Sequence, residues 1–160
     1  TMATQIAVSA ETAPQETLHE RRIVGRALSS WEGLRTGESF PLHSECLASF
    51  DTQILPGMIL IEINRREEDD IIADCGPDFI EALGRDPIGL PVHTILPSST
   101  DRGLVFWRVA AELKKPIADV GGFTNANGID IVYRSVFLPV SEDGVQVTHL
   151  LGAFSYRMVH

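Results

Sequence analysis

The sequence predicts an α+β domain: a five-stranded antiparallel sheet with short helices and one long helix on one face, preceded by an N-terminal amphipathic helix. Three observations predict it. Two short β-branched runs, Met58 to Asn64 and Ile71 to Cys75, stand close together and read as a hairpin. A segment with helical periodicity, Gly103 to Lys115, follows them. Three strand-like segments then close the chain, joined by tight turns at Asn125 to Gly128 and at Ser141 to Gly144. Hairpins on either side of a helical crossover make one sheet with a helical cover, and the crossover lets the first strand lie beside the fifth.

At 160 residues the chain is the length of one domain and can bury a core without disulfides or metal. The formal net charge of −9 argues against binding a phosphate backbone, which needs clustered Lys and Arg. The one basic cluster, Arg21, Arg22 and Arg26, is interleaved with Glu16, Glu20 and Glu32, so no nucleic-acid partner is expected. Cys46 and Cys75 form no secreted cysteine framework. No apolar run approaches the ~20 residues of a membrane span, and the first 15 residues have neither the basic start nor the apolar core of a signal peptide. The expectation is a cytoplasmic protein with no membrane partner. Residues 1–14 are expected to be a disordered or tag-derived tail, 15–57 a helix and linker, and 58–160 the sheet domain.

Val24, Ala27, Leu28, Trp31 and Leu34 recur at spacings of three and four, which predicts a helix from Gln15 to about Leu34. Residues 42–57 read as mostly irregular, with Pro56-Gly57 a turn. Arg65 to Asp70 reads as a solvated loop. Gly76-Pro77-Asp78 opens a short helix that Gly84 can stop. Pro87, Gly89, Pro91 and Pro97 leave room for one turn, near Val92 to Leu96. Ser98 to Asp101 supplies capping candidates for the long helix, whose buried stripe is Phe106, Val109, Ala110 and Leu113 and which Pro116 ends. The closing strands are Ile117 to Thr124, Ile129 to Val140 and Val145 to Met158.

This element order resembles that of PAS domains. Trp31-Glu32-Gly33-Leu34-Arg35, Leu83-Gly84-Arg85-Asp86-Pro87-Ile88-Gly89 and Phe137-Leu138-Pro139-Val140 are similar to segments of the single-domain PAS family of alphaproteobacteria, over roughly residues 25–158. The stretches Pro41 to Cys46 and Ile71 to Gly76 depart from that family's pattern. The resemblance implies a non-enzymatic sensory or adaptor module, with a small-molecule ligand held between the sheet and its short helices. No kinase, DNA-binding or cyclase motif occurs in these 160 residues, so the signal is expected to leave through a separate output protein.

The resemblance also directs attention to two cofactors. PAS haem sensors carry an axial His on the long helix. Gly103 to Lys115 has none, and His93 just upstream is the substitute. Light-sensing PAS domains carry a Cys in a short segment corresponding to Gly84 to Leu90, which has none, and Cys75 reads as a buried thiol. His43-x-x-Cys46 has ligand-like spacing but lacks the further ligands a zinc site needs. No cofactor or metal is assigned. Hydrolase, P-loop, zincin and dinucleotide-binding motifs are absent, so no catalytic residue is named and no enzyme is expected.

The large residues nearest the expected ligand space are Phe79, Leu83, Ile95, Phe106, Trp107, Phe123, Tyr133 and Phe137, with the polar tips of Trp107 and Tyr133 suited to orient a ligand. Strand alternation puts Ile129, Ile131, Tyr133 and Phe137 on one face, and Val132, Val136, Leu138 and Val140 on the other. Both faces are apolar, so both need cover. The N-terminal helix is expected to cover the outer face through Val24, Leu28 and Trp31 and to build a homodimer there. Two rivals remain: a small α+β enzyme using the same cavity, which would need a titratable group with a shifted pKa, and a purely structural interaction module with a filled core. Asp130 and His149 are the titratable residues well inside strands.

Overall fold

The computed structural model describes residues 15–96 and 106–159. The tail expected over residues 1–14, the capping residues Ser98 to Asp101, the start of the long helix at Gly103 and the side chain of Phe106 lie outside the described residues. The element order is α1 (Gln15–Leu34), α2 (His43–Ala48), β1 (Met58–Glu62), β2 (Ile71–Cys75), α3 (Pro77–Leu83), α4 (Phe106–Leu113), β3 (Ile117–Thr124), β4 (Asp130–Val140) and β5 (His149–Val159). The strands form one antiparallel sheet in the order β2-β1-β5-β4-β3. The α+β architecture and the neighbouring first and fifth strands therefore stand as the sequence predicts.

The two faces of β4 separate as alternation requires. Ile131, Tyr133 and Phe137 join an inner cluster with Ile59, Ile61, Phe79, Trp107, Leu150 and Phe154. Val136, Leu138 and Val140 join an outer cluster with Ile23, Ala27, Trp31, Cys46, Phe50, Leu151 and Ala153. Helices α3 and α4 cover the inner face, and α1 covers the outer one.

The stripe that α1 buries is rotated from the expected one. Glu20, Ile23, Ala27 and Trp31 are buried, whereas Val24 and Leu28 are only half-buried at its edge. The small Ala27 lets the helix approach the sheet, and Trp31 anchors it. Its indole Nε1–H donates to the Pro139 carbonyl at 2.7 Å. Pro139 is tolerated in β4 because β3 stops opposite Phe137, so this end of β4 has one strand neighbour only.

Several elements differ from expectation. The linker contains α2 and a 3-10 turn at Leu55–Gly57 rather than irregular chain. Here α2 is held by tertiary contact, with Cys46 fully buried in the outer cluster. The turn after β3 carries a positive φ at Gly128 (79°) and not at Asn127. Asn125 closes it instead, its Oδ1 accepting from the N–H groups of Asn127 and Ile129. Strand β5 begins at His149, not Val145, because the Asp143 side chain accepts from Val145 and Gln146 N–H and holds them out of the ladder.

Gly152, on the inner face of β5, leaves space for the Phe137 ring. A Cβ there would stand 2.9 Å from Phe137 Cε1 and 3.4 Å from Ile59 Cβ. Gly152→Ala is expected to cost about 2 kcal/mol through overpacking, read by urea denaturation. An unchanged midpoint would show that Phe137 can give way.

Candidate functional site

The inner face is built from an aromatic series. The Phe79 and Phe154 rings meet edge-to-face with centroids 5.1 Å apart. Phe154 stacks on Tyr133 at 5.5 Å and on Tyr156 at 5.8 Å, and Tyr133 meets Phe123 at 6.0 Å. The alternation of β4 and β5 puts these rings side by side, because Tyr133 and Tyr156 are paired across the two strands. Helix α3 presents Phe79 and Leu83 from above, and the turn at Val92–Thr94 brings Ile95. Phe79, Leu83, Ile95, Trp107, Phe123, Tyr133 and Phe137 all lie in or against this inner cluster.

Phe154 and Tyr156 belong to the same surface and were not among the expected residues. The alternation Leu150, Gly152, Phe154, Tyr156, Met158 in β5 carries the signal that would have found them.

Both polar tips proposed for a ligand, those of Tyr133 and Trp107, already have partners within the chain. Tyr133 Oη donates to Asp119 Oδ2 at 3.0 Å. Tyr156 Oη donates to Glu81 in the same fashion. Burial, then the neighbouring carboxylate, pushes the pKa of both phenols above the ordinary tyrosine value. Burial also raises the Asp119 carboxyl, and the Tyr133 hydrogen bond works against that rise. Asp119 is thus an inner-face carboxyl with a raised pKa. Asp130 is exposed and accepts from Thr124 Oγ1, while His149 lies on the outer side of the sheet.

Trp107 is committed to a second polar cluster. Its Nε1–H donates at 2.9 Å to Oδ2 of Asp70, a carboxylate with no exposure to solvent. Arg108 Nη1 donates to the two Asp70 oxygens at 2.8 and 3.0 Å, and the Asn64 backbone N–H donates at 2.7 Å. The Asp70 carbonyl accepts from Val92 N–H at 2.8 Å. The loop Arg65 to Asp70 is therefore solvated only through Asp69. Asp70 turns inward because α4 supplies three of the four hydrogen bonds that a buried carboxylate needs.

The remaining candidates fall elsewhere. His93 is exposed on its 3-10 turn. Cys75 is buried at the end of β2, its thiol pushed up to about 11 by burial first and by Asp86 and Asp74 next. Cys46 is pushed up to about 12 by burial. Neither has the lowered pKa of a reactive thiol. Among the described residues no helix is long and apolar enough to cross a membrane.

No protein-family model matches the chain, and no curated protein sequence matches it. Solved structures do. The light-state LOV domain of the blue-light photoreceptor Aureochrome1 matches with a TM-score of 0.50 at 10% identity, covering 66% of this chain and 83% of that one. The LOV domain of a blue-light activated histidine kinase from Erythrobacter litoralis EL346 matches with a TM-score of 0.50 at 10% identity, covering 64% of this chain and 95% of that one. The five-stranded order and the helices on the inner face agree with these likenesses, which concern the fold. The chain has the fold that PAS and LOV domains share.

Two outcomes are expected from these contacts. Asp70→Asn leaves Arg108 facing a neutral group and is expected to lower stability by about 3 kcal/mol in urea denaturation, the lower end for breaking a buried pair, since Arg108 retains some exposure. Arg108→Met in the same background should recover part of that loss, and additive losses would show that the two side chains are not coupled. Because the folded state keeps the Asp119 proton above the ordinary 3.8, folded chains bind more protons than unfolded ones just above that pH, and this contribution to stability falls as pH rises through the window. Tyr133→Phe removes the opposing hydrogen bond, so the carboxyl pKa should move further up in an NMR titration. An equal or lower value would contradict the hydrogen bond's role.

Proposed function

We propose that the chain is a PAS-type sensory or adaptor module, without a chemical step of its own, that receives a planar apolar ligand on its aromatic inner face and passes the change to α1 and then to a separate output protein. One observation carries this reading: the strands that carry the inner aromatic surface also hold α1. Tyr156 faces inward, while the next residue, Arg157, faces outward with Nε 3.6 Å from Glu20 of α1. Pro139 of β4 receives the Trp31 indole, two residues beyond the inward Phe137. A shift of β4 or β5 caused by an inner ligand must therefore be felt at the docking of α1. The family resemblance in the sequence supports the same reading.

The expected homodimer through Val24, Leu28 and Trp31 is carried forward on Val24 and Leu28 only. Trp31 is 3% exposed against its own sheet and has little surface to offer a second copy. One observation favours a purely structural module instead: the tips of Trp107, Tyr133 and Tyr156 are all satisfied by the chain's own carboxylates.

Native mass spectrometry of the purified chain separates these readings. The expected result is a bound small organic molecule, with slower or faster hydrogen exchange in residues 19–34 once it is removed. A bare mass in every preparation supports the structural module and overturns the ligand reading. The same spectrum reports subunit number, and a monomer at all concentrations overturns self-association.

A further inference from the structure

Three side chains from separate segments converge on the outer side of the sheet, at the end where β5 begins. His43 opens α2, Glu142 lies in the turn after β4, and His149 starts β5. One ligand-type atom from each lies within 4.8 Å of the other two. The imidazole centroids are 4.7 Å apart with the planes tilted by 40°.

Backbone hydrogen bonds fix all three positions. His43 N–H donates to the Ser141 carbonyl at 2.9 Å, and Ser141 N–H donates to the Pro41 carbonyl at 3.0 Å, so the start of α2 is sewn to the end of β4. His149 is paired with Val140 in the β4–β5 ladder and with Glu62 in the β1–β5 ladder. The turn that carries Glu142 is locked by Ser141 Oγ, which accepts from Asp143 and Gly144 N–H at 3.1 and 2.9 Å. His149 Nδ1 is 2.8 Å from Thr148 Oγ1, a contact that orients the ring as second partners do for metal-bound imidazoles.

We propose that His43, His149 and Glu142 form a binding site for a divalent transition-metal ion of the zinc class, with two imidazoles and one carboxylate as protein ligands and an open position for water or a donor from a partner. Imidazole and carboxylate together suit such ions, whereas calcium and magnesium take oxygen ligands. Zinc held at about 2.0–2.1 Å by each donor needs the donor atoms roughly 3.4 Å apart. The exposed Glu142 side chain is free of the packing that would resist closing that gap. The spacing His43-x-x-Cys46 does not make the site, because Cys46 is buried in the outer cluster and the residue that meets His43 is His149. The ion would clip α2 to the sheet, on the opposite side from the inner aromatic face, and it does not depend on the ligand reading above.

The test is a calorimetric titration of zinc chloride into the metal-stripped, untagged full chain, beside His43→Ala and Glu142→Gln. Both residues are at least partly exposed, so the variants should fold, which circular dichroism checks. One zinc per chain is expected, weakened at least tenfold in His43→Ala and by about tenfold in Glu142→Gln. Zinc should raise the melting temperature of the parent chain and slow amide exchange in α2, and do neither in His43→Ala. Calcium should not compete. No binding at one ion per chain, binding unchanged in His43→Ala, or calcium binding as tight as zinc would each overturn the proposal.

Discussion

Strands β4 and β5 pair over eleven positions, from Asp130–Val159 to Val140–His149, and present apolar side chains on both faces. A sheet of this kind is not stable with either face in water, since each exposed Val, Leu or Phe forfeits on the order of 2 kcal/mol of burial. The other elements follow from that constraint. Helices α3 and α4 close one face and α1 closes the other, so residues that would be a peripheral helix in a one-sided sheet are here part of the core. Ala27 and Trp31 are buried as deeply as the strand residues they touch.

The two covers are attached by different means. The outer cover is mainly apolar, with a directional bond from Trp31 to Pro139 and a charged pair, Glu20 and Arg157, at its other end. The inner cover is pinned by Asp70. Four hydrogen bonds from three donors, Trp107, Arg108 and the Asn64 backbone, surround that carboxylate, and removing it from water is tolerable only while all of them are in place. Undocking α4 would leave that carboxylate buried without its Trp107 and Arg108 partners. The inner layer is specified by polar geometry and the outer layer by shape.

The sequence carried the fold in its periodicities. The β-branched runs at Met58 and Ile71, the Asn-Gly turn and the alternation of β4 located the strands and their faces, because each is a local signal. The helical run at Gln15 to Leu34 located α1, but its buried stripe falls on Ile23, Ala27 and Trp31 rather than on Val24 and Leu28, since the sheet and not the helix decides which edge faces inward. Residues whose burial depends on a distant partner were illegible. Asp70 sits in an acidic run that reads as solvated, and only Trp107 and Arg108, far along the chain, turn it inward. Helix α2 is six residues long and carries no side-chain cap, so nothing local announces it. The meeting of His43 with His149 depends on the same tertiary stitching. The inner aromatic residues were largely legible because hydrophobic size and strand parity suffice to place them. The commitments of their polar tips were not.

The order of the strands has a consequence for how the molecule is made. β5 is the last strand in the sequence and lies in the middle of the sheet, between β1 and β4. As a chain emerges from the ribosome, β1 pairs with β2 and β3 with β4 as two separate hairpins, each with an open edge. Neither can meet the other until the final strand arrives to bridge them. Assembly of the full sheet thus waits for β5, and a chain that stops short of it is left with two half-sheets and no shared core.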